Sequence, residues 1–254
     1  MLSRMAHDSM RSMVHVECRA ILRALASGRR IDVSIHEARK AIRRLRALLA
    51  LVADAQWGGI KRVDRELQRL GDGLSPLRDA HVAVITAKHC LRAHGEATWT
   101  PVVDQLVVRR NALMQQALVD DLDFQRRRER VARIDSTLDR LPWESLDADV
   151  LRDGLKRSRR RVAKAKKKAK ADPTLDKLHR WRRRARRLRM QLVALGDAKS
   201  DEATGLHELG DRLGTLQDLR MLRKLLRQMP DLPQRDAVLL QLRKQIASRK
   251  DRLH

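Results

Sequence analysis

One pattern occurs twice in this chain, in the same order, and it constrains the fold more than any other feature. His36-Glu-Ala-Arg39-Lys40-Ala-Ile-Arg43-Arg44-Leu45-Arg46-Ala-Leu-Leu49 aligns with His179-Arg-Trp-Arg182-Arg183-Arg-Ala-Arg186-Arg187-Leu188-Arg189-Met-Gln-Leu192. The His, four Arg positions and both Leu match, and Lys40 faces Arg183. A second block follows each. Leu67-x-x-Leu70-Gly71-Asp72-x-Leu74-x-x-Leu77-x-Asp79 aligns with Leu206-x-x-Leu209-Gly210-Asp211-x-Leu213-x-x-Leu216-x-Asp218. Compositional bias gives matched Arg and Leu, but it does not easily give His and then Leu-Gly-Asp twice in order. The pattern implies an internal duplication of about four helices, and so two four-helix bundles.

The expected class is all-α. Apolar residues recur at three- and four-residue spacing almost throughout, as in amphipathic helices, and no strand pattern occurs. Punctuation divides the chain into helices near 9–28, 33–55, 60–94, 100–121, 125–140, 147–171, 174–196, 201–229 and 234–252. Gly28, Gly58–Gly59, Pro142, Pro173, Gly196 and Pro230–Pro233 separate them, and Ser75–Pro76 marks a break inside the third. The chain reads as a single domain over 1–254, with a first half at about 9–121, a connecting helix at about 122–142 and a second half at about 145–254.

Charge then narrows the function. Lys and Arg number 57 against 32 Asp and Glu, for a formal charge of +25. Self-repulsion of this size opposes compact folding, so an anionic partner is expected. The charge is concentrated: Arg152 to Arg189 holds 19 Lys or Arg and three acids. Placed on a helix at 100° per residue, Arg39, Lys40, Arg43, Arg44 and Arg46 all lie within about 80° of His36. Ile35, Ala38, Ile42, Leu45, Leu48, Leu49 and Val52 fall opposite. The second block repeats the division, with His179, Arg182, Arg183, Arg186, Arg187 and Arg189 against Leu178, Trp181, Ala185, Leu188, Leu192 and Leu195. A solvated helix face mixes Glu with Lys at i,i+4 spacing. These stripes are almost free of acids and dominated by Arg, whose fork suits phosphate oxygens. They are the candidate anion-binding residues.

Other chemistry is poorly served. His36 and His179 could in principle meet at a metal, but the surrounding Arg repels a divalent cation, so no metal and no cofactor is expected. Asp72, Asp79, Asp211 and Asp218 are expected to pair with Arg on neighbouring helices, and Gly71 and Gly210 to allow close packing. The sequence has no Gly-x-x-x-x-Gly-Lys loop and no arranged Ser, His and Asp set, so no enzyme activity is expected. Cys18 and Cys90 lack a neighbouring Cys and read as reduced, buried thiols of a cytoplasmic protein. No apolar run reaches the roughly 20 residues of a membrane span. Lys156–Lys170 is basic on nearly all sides; it sits where the first helix of the first half sits, and is expected to be a bundle helix with one poorly apolar face.

The His-x-x-Arg-x-x-x-Arg-Arg-Leu-Arg blocks at His36 and His179, followed by Leu-Gly and then Leu77-Arg-Asp79 or Gly214-x-Leu-Gln-Asp218, resemble the CHAD family, the conserved histidine α-helical domain. The resemblance covers about residues 9 to 252. It implies two four-helix bundles about a pseudo-two-fold axis, a basic central channel that binds inorganic polyphosphate, association with polyphosphate granules, and no catalysis. The Glu-x-Glu-x-Lys motif of the triphosphate-tunnel domain often fused to this family is absent, so the domain is expected to stand alone. Ala47 and Met190 stand where the family often has an aromatic residue, and Gln217 stands where the first block has Arg78. The alternative is nonspecific binding to a DNA or RNA backbone, which the charge alone would support. Only 2% of residues are aromatic, which leaves few platforms for stacking bases.

Overall fold

The computed structural model describes residues 2–26, 30–55, 57–229, 231–232 and 234–251, with the backbone only at 2–7, 96 and 251. The separators Gly28, Pro230 and Pro233 lie outside the described residues. Among the described residues ten α-helices follow one another: α1 (Leu2–Ala26), α2 (Ile31–Leu51), α3 (Ile60–Gly73), α4 (Ser75–His94), α5 (Glu96–Asp120), α6 (Gln125–Asp139), α7 (Ala148–Ala171), α8 (Leu175–Ala194), α9 (Asp201–Arg227) and α10 (Arg235–Asp251). Two short 3-10 turns, Leu122–Phe124 and Trp143–Ser145, flank α6. No strand occurs among the described residues, so the chain is all-α as expected.

The break foreseen at Ser75–Pro76 separates α3 from α4. Leu74 closes α3 by donating its N–H to the Gly71 carbonyl, 3.3 Å away, and Pro76 stands in the first turn of α4, where no N–H is required. Two starts differ from the sequence reading, and the first is that of α1, which begins at Leu2 rather than near 9. α5 begins at Glu96 rather than near 100, so Pro101 lies inside the helix. Trp99 accounts for it: the ring is fully buried and its Nε1 donates to Gln241 Oε1 at 2.7 Å, anchoring the turn before the proline.

The helices form two compact units. The first comprises Met1–Leu74 and Asp121–Gly210, and the second Ser75–Asp120 and Asp211–His254. Each unit therefore draws helices from both halves of the sequence, and α9 contributes residues to both. The core of the second unit gathers Ala87, Trp99, Val102, Leu106, Leu222, Leu226, Val238 and Leu242 from α4, α5, α9 and α10. A cavity there is lined by Asp79, Arg109 and Asp218, so two aligned Asp positions of the repeated block reach one place.

In the first unit, α1 buries Met10, Val14, Cys18, Ile21 and Leu25, each at most 2% exposed. That 4-4-3-4 spacing is a single helical face. α7 buries Gly154, Ser158, Ala165 and Ala169 and half-buries Val162, at the same spacing. The expectation for Lys156–Lys170 holds: it lies within a bundle helix whose packing face is nearly all small residues. Side-chain contacts tie the remaining helices together, with a hydrogen bond between His15 Nδ1 of α1 and Asp135 Oδ1 of α6 at 2.6 Å and an ion pair between Arg130 of α6 and Glu66 of α3 at 2.7 Å.

The close approach expected at Gly71 and Gly210 occurs elsewhere. A Cβ added at Gly71 would meet only Ile42 Cγ2 at 3.6 Å, and one at Gly210 would meet nothing within 4 Å. Gly154 is the tight position. A Cβ there would stand 2.8 Å from the Leu51 carbonyl carbon and nearer still to its oxygen, so α7 touches the end of α2 backbone to backbone. Arg157, one turn on, donates to the Ala50 carbonyl at 2.9 Å and pairs with Asp54, satisfying the end of α2 from outside.

Candidate anion-binding site

α2 and α8 carry the two stripes, and they pack directly on one another in the first unit. Ile35, Ala38, Ile42, Leu45, Leu48 and Leu49 of α2 are buried, as are Leu178, Trp181, Ala185, Leu188 and Leu192 of α8. The apolar faces are thus those expected from the wheel, save that Leu195, beyond the end of α8, is exposed. Gln191, fully buried, donates its Nε2 to the Ala47 carbonyl at 2.9 Å. Ala47 lies on the cationic side of the α2 wheel, yet it is 1% exposed, because α8 covers it. The first stripe therefore ends at Arg46, where the small side chain admits the neighbouring helix.

Within the first stripe the residues divide. His36 stands 3.8 Å from Glu37, and Lys40 stands 3.7 Å from the same carboxylate. Arg39 donates to the Gly71 carbonyl, near the end of α3. Arg43 is half-buried and engaged in an interaction of its own. Arg44 and Arg46 point to opposite flanks. Arg44 Nε donates to Glu17 Oε1 of α1 at 2.6 Å. Arg46 holds Asp64 of α3 through two bonds, at 2.7 and 3.1 Å, and Gln68 at 3.2 Å. These two pairs fix α2 between α1 and α3 and so aim the residues between them.

The second stripe is less neutralised. Arg182 and Arg186 are half-buried and engaged. Arg183 is exposed, and Arg189 is partly so. Arg187 is half-buried, and among the described residues no carboxylate lies within ion-pairing distance of it. Burial, reinforced by Arg46, Arg184 and Arg161 and opposed only by Asp64, holds its guanidinium below the ordinary value. His179 Nδ1 is buried with no hydrogen-bond partner among the described residues. Burial and then Arg183 and Arg182 push the His179 imidazole below its ordinary value, against a weaker pull from Asp176. A ring shifted in this direction is neutral at pH 7.

Sequence reasoning placed the orienting acids at Asp72, Asp79, Asp211 and Asp218. Asp79, Asp211 and Asp218 each hold interactions, whereas Asp72 is exposed with no ion pair among the described residues. The acids that steer Arg44 and Arg46 are Glu17 and Asp64, which were missed. Glu17 was detectable: it sits beside Cys18 on the flank of the α1 core face, at the edge nearest α2. Among the described residues no group of three or more His, Cys, Asp or Glu could hold a metal ion, and no helix is long and apolar enough to cross a membrane.

The sequence model of the CHAD domain matches residues 17–227. The chain belongs to the CHAD family. Two solved structures share the fold. The CHAD domain from the plant Ricinus communis has 20% identity and a TM-score of 0.61, with 96% of this chain and 86% of that one covered. PptA from Streptomyces chartreusis has 16% identity and a TM-score of 0.70, with 96% of each chain covered. No curated protein matches the sequence. The matched residues include both α2 and α8.

Proposed function

We propose that this CHAD domain binds inorganic polyphosphate, without catalysis, in a basic channel lined by the stripes of α2 and α8. The observation that carries the reading is the direct packing of α2 on α8, which places both stripes in one unit. His36, Arg39, Lys40, Arg43, Arg44 and Arg46 then act with His179, Arg182, Arg183, Arg186, Arg187 and Arg189. The forked guanidinium groups suit the repeated oxygens of the polymer, and Arg44 and Arg46 contribute by holding α2 in place. His179 adds a group that gains charge when phosphate approaches it. The setting that fits this role is the cytoplasm, with association with polyphosphate granules.

Titration calorimetry with long-chain polyphosphate at about 150 mM salt tests this, with duplex DNA and RNA of matched charge as competitors. Arg43→Ala with Arg186→Ala is expected to weaken polyphosphate binding by at least about a hundredfold. Lys168→Ala, on the exposed face of α7, is expected to have little effect. Equal affinity for nucleic acid, with the double variant matching the Lys168→Ala control, would replace the channel by a general cationic surface.

A further inference from the structure

α1 and α7 can be laid over one another residue by residue, and their inner faces agree while their outer faces do not. The buried positions of α1 recur in α7 at a register of 144: Met10 with Gly154, Val14 with Ser158, Cys18 with Val162, Ile21 with Ala165 and Leu25 with Ala169. At the same register the outer row of α7, Lys156, Arg160, Lys164 and Lys167, corresponds to Ser12, Val16, Ala20 and Arg23 of α1. The related helix thus keeps the packing pattern with one cation on its outer row, where α7 has four. Packing does not require the extra charge.

The α7 row is continuous and open. At 100° per residue its four cations fall within about 80° of arc, turned away from Gly154, Ser158, Ala165 and Ala169, and successive ones are about 4.5–6 Å apart along the axis. All four are exposed, and among the described residues no carboxylate lies within ion-pairing distance of them. Other surface cations are matched: Arg69 and Arg130 with Glu66, and Arg126 and Arg127 with Asp121. The acids of α7 lie in its first turns, at Asp149 and Asp153, and none follows before Asp172. The cation chemistry also differs from that of the stripes. Lys164 to Lys170 holds five Lys and no Arg, whereas the α2 and α8 stripes hold nine Arg and one Lys. Lys is a hydrated point charge on a flexible stem, without the fork that grips a particular set of oxygens. Such a face neutralises a charged surface rather than seating one group.

We propose that the outer face of α7 is a second interaction surface, separate from the stripes, and that its partner is the phosphate backbone of duplex nucleic acid. Charge complementarity carries the assignment. A duplex presents one negative charge per about 1.7 Å of its axis, in fixed positions, and a row of cations meets it by releasing counterions. A flexible phosphate polymer would have to be ordered along an open ridge that encloses none of it, at a cost in chain entropy. A single strand is served worse, because its bases need exposed rings on which to stack. Trp99, Trp143, Trp181 and Phe124 are buried, and Trp57, the one other aromatic residue, is half-buried with its ring 5.2 Å from that of Trp143. A lipid surface is served worse too, because α7 exposes no large apolar side chain to enter the acyl boundary. The assignment does not depend on the polyphosphate reading.

The test uses the full chain in fluorescence anisotropy with a labelled DNA duplex of about 20 base pairs, at salt concentrations from about 50 to 200 mM. Neutralising four phosphates gives a slope of log affinity against log salt of about −3.6. Arg160→Gln with Lys164→Gln and Lys167→Gln is expected to weaken duplex binding at least about tenfold at the lowest salt and to flatten the slope to about −1. The same variant is expected to keep its melting temperature, since the three residues are exposed, and its affinity for long-chain polyphosphate. Arg43→Ala with Arg186→Ala is expected to do the reverse, losing polyphosphate and keeping the duplex. Unchanged duplex affinity and slope in the glutamine variant overturn the α7 surface. So does loss of duplex binding in the Arg43 and Arg186 variant, which places the duplex on the stripes, and so does joint loss of duplex and polyphosphate in the glutamine variant. Tighter α7-dependent binding of single-stranded DNA of matched charge, or of phosphatidylserine vesicles, overturns the choice of partner. Duplex binding through α7 by a chain that fails to bind polyphosphate supports the surface and removes only the channel reading.

Discussion

The α1–α2 pair and the α7–α8 pair share a packing pattern and differ in what fills it. α1 buries four large apolar side chains and a thiol at its interface, each apolar group worth roughly 1.5–3 kcal/mol on burial. α7 places Gly, Ser, Val, Ala and Ala at the same positions, and covers its outer surface with Lys and Arg. The difference is one of labour. The first pair is held by apolar burial and by the Arg44–Glu17 ion pair. In the second, Leu155 and Val162 of α7 pack against the Ala185, Leu188 and Leu192 cluster, while α7 is tied to α2 by close backbone contact at Gly154 and by Arg157, and to α9 by the Arg159–Glu202 fork at 2.6 and 3.0 Å. A helix that gives up side-chain volume on one face can carry charge on the others, because close contact on that one face keeps it fixed.

Opposite substitutions at the matched pair Met10 and Gly154 should break this comparison most visibly. Met10→Ala empties a fully buried site and is expected to cost about 3 kcal/mol. Gly154→Ala overfills its site against backbone that cannot move aside. It is expected to cost about 2 kcal/mol even after the roughly 1 kcal/mol that alanine gains in helix propensity. Urea midpoints of the full chain measure both. A stabilising Gly154→Ala would mean that α7 is free to move away from Leu51, and the contrast between the two pairs would lose its structural basis.

A smaller effect is expected from removing the acid that Arg44 has and Arg187 lacks. Glu17→Arg removes the partner of Arg44 and sets two cations together at a site where Glu17 is 14% exposed. The expected loss is about 2 kcal/mol in urea unfolding. The sharper observation is the salt dependence: added salt should restore part of the loss, because it screens the repulsion between the two cations. A loss that salt leaves unchanged would mean that the missing Arg44 bond, and not repulsion, sets the cost.

Much of this architecture is legible in the sequence, because period and punctuation are local. Most helix boundaries, the break at Ser75 and the apolar faces of α2 and α8 follow from spacing alone, whereas the starts of α1 and α5 do not. Three features do not. The division into units crosses the sequence halves, since it depends on which helices meet rather than on chain order. Gly154 is inconspicuous among the small residues of α7, and its role appears only when Leu51 is placed against it. The fate of Arg44 and Arg187, which occupy the same place in the repeated block, is decided by one residue on a different helix. Glu17 and Arg161 are 144 positions apart and carry no motif, so only the burial pattern of α1 and α7 reveals that they correspond.

The smallest expected effect concerns the histidines that head the two stripes. His36 has Glu37 at 3.8 Å, whereas His179 lies among Arg182, Arg183 and Arg186 with its Nδ1 buried. Because burial and those cations lower the His179 value below 6.5, the unfolded chain binds a proton that the ligand-free fold resists. The stabilising contribution of the neutral ring is therefore present above pH 6.5 and is lost as pH falls through 6.5 toward the folded value. The melting temperature of the ligand-free protein should fall by about 1 °C more over this window than that of His179→Asn. Bound polyphosphate reverses the sign at this residue, since its oxygens favour the imidazolium form and both ring nitrogens can then donate. Polyphosphate affinity should rise as pH drops from 7 to 6, with proton uptake seen in buffers of different ionisation enthalpy. Identical pH slopes for the natural chain and His179→Asn, in both melts and titrations, would remove His179 from the stripe and leave binding to the guanidinium groups.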